Sequence, residues 1–412
     1  MKKALDNRIG VGVFFGGRSV EHEVSVISGL QAYFALDTER YAPVAVYITK
    51  EGTFYTGEKI TDVKAYGDVK SLLAESTRVN LVSDGGRFYL VRYPEKKFGD
   101  NILAEIEVAF PVVHGTNVED GTLQGFFKSV GIPFVGCDVT ASAVGMDKAL
   151  TKAVLKMHGV PVLDCLCFND KEYAAAPDDA LKRIEETLRY PLIVKPVNLG
   201  SSVGIRKVKD HESLRAALED AFAYAPVVLA ENAVEHLKEI NCAVLGDRYE
   251  AIPSVTESPV GSDDILDFGD KYLKGRKGGK TGAKTASGSK GAGMANLSRI
   301  IPADVPADVE AKVKDYAVRA FKAIGCAGVT RIDFLYNTET GELYLNELNT
   351  IPGSLAFYLW EPAGIPFVEL VDRLVKLALK RNREEGELNF TFDSNILKGI
   401  TLGRGTKGGG KA

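Results

Sequence analysis

Strand-like apolar runs alternate with helical patterns from the start of this chain, and that alternation limits the fold more than any other feature. Ile9–Phe15 reads as a buried strand, Ser25–Ala35 as a helix and Val44–Ile48 as a second strand. Ile106–Val113 follows as a further strand and Gly121–Val130 as a helix with apolar spacing. Alternation of this kind predicts an α/β domain with a mainly parallel sheet, reaching to about Cys137. The pattern renews with a helix from Met146 to His158, the strand LIVKP at 192–196, a Gly/Ser turn and a helix across Glu212–Phe222. A third block begins near Val227, with strands around Glu239–Leu245, Val329–Tyr336 and Leu343–Asn349 and helices at Val309–Ile324 and Phe367–Arg381. The Gly/Lys-rich end GRGTKGGGKA is predicted to be disordered, and no internal repeat is present.

The stretch GVTRIDFLYNTETGELYLNELN, 328–349, reads as a hairpin, two strand patterns around a turn-rich NTETGE. Glu347 and Asn349 are two apart in a strand and share a face, with Asp333 on the partner strand. Oxygen donors of this kind suit a hard cation such as magnesium that also holds phosphate. Exposed strand-end positions are the plainer reading, but the acids lie among Ile332, Phe334, Leu345 and Leu348, so they would be partly buried and need a partner.

VKPVNLGSSVG, 194–204, places Lys195 at a strand end before a flexible turn whose backbone N–H groups can approach phosphates, although many surface turns look alike. GKT at 279–281 is not a P-loop, because residue 274 is Lys where that pattern needs Gly. In FFGGRSVEHEVS, 14–25, Glu21 stands at a helix start, where it is either a dipole partner or a ligand for something approaching the helix. His114 directly follows a strand, where α/β proteins place binding groups.

Residues 271–294 hold seven Lys/Arg and seven Gly with no acid, a local basic feature in a chain of 412 residues whose formal net charge is −4. That balance argues against a polycation seeking nucleic acid. The N-terminus lacks a signal-peptide pattern, no run of 18 apolar residues occurs, and the five cysteines lack a C-x-x-C pair, which together predict a cytoplasmic protein with reduced thiols.

Taken in order, FFGGRSVEHEVS, HGTNVEDGTLQG, MDK (146–148), VKPVNLGSSVG, DKY (270–272), RIDF (331–334) and NELNTIPG (346–353) resemble the D-alanine–D-alanine ligase family of the ATP-grasp enzymes. The resemblance implies an α/β protein of three-domain ATP-grasp architecture with an N-terminal parallel-sheet α/β domain. The boundaries would be 1–137, 138–230 and 231–388, with a lid at 262–298 and a tail at 389–412. ATP would bind between the central and C-terminal domains. Lys148 and Lys195 would reach its phosphates, Glu231 and Glu239 its adenine and ribose, and Ser202 and Asn346 would complete that set. One residue is inserted between those two acids. Asp333, Glu347 and Asn349 would hold two magnesium ions, or manganese in their place.

The implied chemistry joins D-alanine to D-alanine for peptidoglycan precursors. One carboxylate attacks the γ-phosphate, and the second amine attacks the resulting acyl phosphate. Glu21 would hold the first ammonium with His114 near its carboxylate, and Ser201 and Tyr272 would link to Glu21. Arg331 and the Gly353 N–H would stabilise the oxyanion, and Lys271 and Tyr358 would also bind substrate. Two places depart from the family: Leu266-Asp267-Phe268 stands where Tyr-Asp-Tyr is common, and SLAFYLWE follows Gly353 where a serine-rich run is usual. Tyr358 falls where the carboxylate-binding serine would be, so D-serine, D-lactate or another amino acid is the alternative acceptor. The resemblance further implies a homodimer without nucleic-acid or membrane partners, and the basic stretch would be a mobile loop closing over ATP.

Overall fold

The structure, a computed structural model of the chain, describes residues 7–200, 203–260 and 299–388. Ser201, Ser202, Lys271, Tyr272, the basic stretch and the 389–412 tail lie outside the described residues.

The first sheet contains β1 (Ile9–Gly16), β2 (Tyr41–Ile48), β3 (Phe54–Thr56), β4 (Thr77–Asp84), β5 (Arg87–Arg92), β6 (Ile102–Glu105) and β7 (Val108–Pro111), in the order β6-β5-β4-β3-β2-β1-β7. β1 pairs in parallel with both β2 and β7, and is buried along nearly its whole length, as a central parallel strand covered on both faces must be. The parallel core is extended by an antiparallel meander, β3 to β6, which the reading of the sequence did not resolve. β4 alternates buried and exposed residues around Val79 and Leu81, the pattern of an antiparallel strand with one wet face.

The second sheet is antiparallel, with β8 (Cys165–Asn169), β9 (Leu192–Pro196), β10 (Arg206–Val208) and β11 (Val227–Asn232) in the order β10-β9-β11-β8. The third is also antiparallel, with β12 (Leu237–Gly246), β13 (Ala251–Pro259), β14 (Arg299–Ile300), β15 (Gly328–Asn337) and β16 (Leu343–Asn349) in the order β14-β13-β12-β15-β16. The helix expected from Met146 to His158 begins at Lys148, because Asp147 accepts from the N–H groups of Ala149 and Leu150, both at 2.9 Å, and caps a new helix, Lys148–Met157.

The faces of the third sheet explain where the site lies. Cys242, Ile332, Phe334, Leu345 and Leu348 pack against the helix Ala307–Ile324. On the other face, Ala243, Leu245 and Val329 join the core of the first sheet, while Asn241, Arg331 and Asp333 continue that same face as a polar surface. The C-terminal helix, Phe367–Gly386, buries Leu370, Val371, Leu374 and Val375 in the first sheet's core as well. Arg381 fastens it there, donating to the carbonyls of Gly136 at 2.7 Å and Phe134 at 2.6 Å. The last segment of the chain thus completes the core begun by the first.

Candidate active site

Two adjoining cavities open between the sheets. The larger, about 290 Å³, lies between β9, β11 and the third sheet, and Lys195, Glu231, Glu239 and Asn346 line it. The smaller, about 70 Å³, is lined by Glu21, His114, Glu119, Arg331, Asn349 and Gly353. Lys148, Leu199, Gly200 and Glu347 belong to both walls.

A buried charge relay supports the larger cavity. Lys195 donates to Glu231 Oε1 at 2.5 Å and to Asn346 Oδ1 at 3.1 Å, and Lys152 meets Glu231 Oε2 at 2.6 Å. Burial alone would raise the Glu231 carboxyl, but the two ammoniums hold it below its usual range. Glu231 thus lines the larger cavity while its carboxylate is held between two lysines. Both its oxygens face lysines, and its carboxylate fixes Lys195. Lys148 donates to the Leu199 carbonyl at 2.7 Å and stands 3.6 Å from Glu347 Oε2. Burial lowers its pKa, with Glu347 opposing the shift.

Asp333 and Glu347 are directly paired across β15 and β16, and the register shifts immediately after Asp333. That bulge leaves Asn346 as the extra residue on β16, which lets it and the next residue, Glu347, line the same cavity. Arg331 grips Asp333 with two hydrogen bonds, Nε to Oδ1 at 2.7 Å and Nη2 to Oδ2 at 2.6 Å, and Asn349 Nδ2 donates to Oδ2 at 3.1 Å. Two carboxylates and an amide on adjacent strands, each half-buried, form a donor set of hard oxygens whose chemistry fits magnesium.

In the smaller cavity, Glu21 occupies the N-cap position of the helix His22–Ala35 without making a side-chain cap bond, so its carboxylate is not the helix's own capping group. Glycines make room for it: a Cβ on Gly115 would stand 2.8 Å from Glu21 Oε2, and one on Gly200 3.1 Å. His114 lines this cavity with both ring nitrogens held by protein groups. Its Nδ1 donates to the Ile351 carbonyl at 2.8 Å, and Nε2 accepts from Ser28 Oγ at 3.0 Å. Ser28 in turn accepts from the Ser354 N–H at 2.9 Å. Both ring nitrogens are engaged, and burial pushes the imidazole down to about 4, so it stays neutral. His114 positions the loop after β16.

That loop turns through left-handed conformation at Ser354, Leu355 and Ala356, with φ near +50° at three consecutive residues, none of them glycine. Sustained left-handed backbone is disfavoured for L-residues, and here burial of Leu355 and Ala356 and the Ser28 bond hold it in place beside Gly353. Tyr358, expected to bind substrate, lines neither cavity. Its hydroxyl donates to Glu257 Oε1 at 3.2 Å and its ring lies 4.0 Å beneath the Arg299 guanidinium.

Family models for the D-ala D-ala ligase N-terminus and C-terminus match residues 10–137 and 154–376. The chain belongs to the D-alanine–D-alanine ligase family. A D-alanine–D-alanine ligase from Thermosipho melanesiensis is 35% identical over 397 residues, which span 96% of this chain and 100% of the relative. The solved D-alanine–D-alanine ligase of Coxiella burnetii superposes with a TM-score of 0.75 at 26% identity, covering 92% of this chain and 97% of that one. The VanG D-Ala:D-Ser ligase of Enterococcus faecalis gives 0.72 at 32% identity, covering 90% and 99%.

Three residues of this D-alanine–D-alanine ligase family member escaped the reading of the sequence. Lys152 follows Lys148 by one helical turn on a buried face, a spacing that could have revealed it. Glu119 is buried against the smaller cavity, accepting from the N–H groups of Gly115 at 3.0 Å and Ile351 at 2.8 Å. Burial raises its carboxyl to about 8. Ser28 carries no sequence signal, since its role depends on two segments far away in the chain.

Proposed function

We propose that the chain is an ATP-dependent ligase that joins D-alanine to a second D-alanine. The observation that carries this reading is the shared wall: Lys148, Gly200 and Glu347 line both cavities. An amino acid held in the smaller cavity would have its carboxylate beside the terminal phosphate of a nucleotide in the larger one. In-line transfer then depends on position and on charge neutralisation.

Lys148 and Lys195 would neutralise the phosphates, with Glu231 and Lys152 holding Lys195 in place. Asp333, Glu347 and Asn349 would hold magnesium, which supplies further neutralisation of phosphate charge when bound. Glu21 would receive the ammonium of the first D-alanine. The carboxylate would attack the γ-phosphorus and release ADP, and the second amine would then attack the acyl phosphate and release phosphate. Arg331 and the Gly353 N–H would face the oxygen on which charge develops. We also propose the three-domain division given above, a cytoplasmic setting where ATP and precursors meet, and a homodimer, which light scattering tests.

The 32% identity to a D-Ala:D-Ser ligase favours D-serine as the second reading of the acceptor. Incubation with ATP, magnesium and D-alanine, alone or with D-serine, D-lactate or L-alanine, separates the readings through ADP release and product mass. D-Ala-D-Ala as main product is expected; no ADP release with D-alanine would overturn the proposal.

A further inference from the structure

Cys165 and Cys167 stand two residues apart on β8, so their side chains share one face, while Leu166 and Phe168 between and after them turn to the apolar core of the second sheet. Cross-strand register identifies the face. Cys165 is paired with Glu231 and Cys167 with Leu229, which is itself paired with Lys195. Directly opposed residues of antiparallel strands point the same way. Both thiols are therefore on the side of the sheet that bears the Lys195–Glu231–Lys152 relay, one strand beyond the nucleotide cavity.

Three properties make this pair reactive. Both cysteines are free and half-buried, so a small oxidant can reach them. The neighbouring Cys167 thiol, with Lys152 nearby, lowers the Cys165 thiol to about 7 against the opposing effect of burial, while Cys167 is raised. One sulfur is thus the nucleophile and the other its proton-bearing neighbour. Finally, β8 is an edge strand among the described residues, paired there with β11 alone. Residues two apart in a strand have Cα atoms about 6.6 Å apart, the upper end of disulfide spacing, and an edge strand can shorten to close the bond. The chain contains its own contrast: Cys137, Cys242 and Cys326 are buried.

We propose that Cys165 and Cys167 form a dithiol that a peroxide oxidises to an intrachain disulfide beside the nucleotide cavity. The Cys165 thiolate attacks one peroxide oxygen, giving a sulfenic acid and, after proton transfer, water. The Cys167 sulfur then attacks the Cys165 sulfur, expelling a second water, so two thiols lose two electrons and peroxide gains them. Closure removes the negative sulfur facing Lys152 and draws β8 inward at Glu231's strand partner, which weakens the hold on Lys195. This last consequence rests on the nucleotide reading of the larger cavity; the thiol chemistry stands without it.

The test treats the whole chain with hydrogen peroxide and maps its peptides by mass. The expected result is a loss of about 2 Da confined to the 165–167 peptide and regained with dithiothreitol, together with a sulfenic acid trapped by dimedone on Cys165 in the Cys167→Ser variant. Oxidation should raise the KM for ATP about fivefold or more in the parent, reversibly, and leave the Cys165→Ser/Cys167→Ser double variant unchanged. A pair that stays reduced while other thiols react, or dimedone found on Cys167 in Cys165→Ser but not on Cys165 in Cys167→Ser, overturns the proposal. A disulfide that forms without changing the KM for ATP overturns its link to the cavity. A protein that uses no ATP fails the functional reading alone, since the mass readout still decides the thiol chemistry.

Discussion

Asn346 and Glu347 are consecutive in a β-strand and yet line the same cavity, one accepting from Lys195 and the other facing Lys148. A regular strand would send them to opposite faces. The bulge opposite Asp333 makes the exception, bringing two lysines from different elements to one wall.

Glu347→Gln should preserve the fold, because the side chain keeps its shape and is only half-buried, while kcat falls by about 100-fold or more. Circular dichroism and steady-state turnover at ordinary magnesium check both halves. Turnover near the parent value would remove Glu347 from the phosphate and metal site.

Lys152 lines neither cavity, so its contribution is to the relay behind the wall. Lys152→Met leaves Glu231 paired with Lys195 but strips Oε2 and the Leu163 carbonyl of their buried donor, and should destabilise the protein by about 1–3 kcal/mol. Urea denaturation measures this. A variant as stable as the parent would show that Lys195 alone satisfies Glu231.

His114 sets a pH dependence of definite sign. Its ordinary value near 6.5 falls to about 4 on folding because burial disfavours the imidazolium. Unfolded chain therefore takes up a proton between those values that folded chain refuses, and stability present above pH 6.5 is lost on acidification, by about 3 kcal/mol at most. Glu119, raised to about 8 by burial, acts in the opposite sense, losing stability as pH rises from 4.5. Denaturation of the parent and of His114→Asn from pH 7 to pH 4 isolates the histidine: the parent should lose more than the variant. Equal slopes would place the proton elsewhere.

Ala356 sits at φ +50° and is fully buried. Ala356→Gly removes a methyl worth about 0.8 kcal/mol of burial but relieves left-handed backbone worth about 1–2 kcal/mol. The variant should thus equal or exceed the parent in melting temperature, unlike an ordinary buried Ala→Gly change. If that backbone also fixes the Gly353 N–H, kcat should drop even as stability holds.

Much of this was legible where pattern and burial agree. β1, β9, β15 and β16 are read to within a few residues because their apolar runs leave one placement open, and the polar face of the hairpin follows from a period of two. The meander from Phe54 to Glu105 was missed because its strands are one-sided, with exposed charges at Arg78, Arg87 and Glu105 that resemble loop sequence. His114 lines the smaller cavity and Tyr358 neither cavity, and the partners of both were not legible in the sequence. Their hydrogen bonds run to Ile351, Ser28 and Glu257, partners far off in sequence that only the folded chain brings near. The turn at 354–356 has no glycine to announce it; tertiary packing imposes it.

The seating of Leu370, Val371, Leu374 and Val375 in the core of the first sheet has a consequence for how the chain is made. A ribosome releases β1 to β7 long before that helix exists, so the nascent N-terminal sheet waits with an apolar face uncovered while the 255 residues from 112 to 366 follow it. Gly353, at the wall of the smaller cavity, precedes the same helix and belongs to the same late segment. The smaller cavity therefore cannot form until residues as late as Gly353 have been made, and a chain cut before Phe367 would leave an apolar face of the first sheet bare.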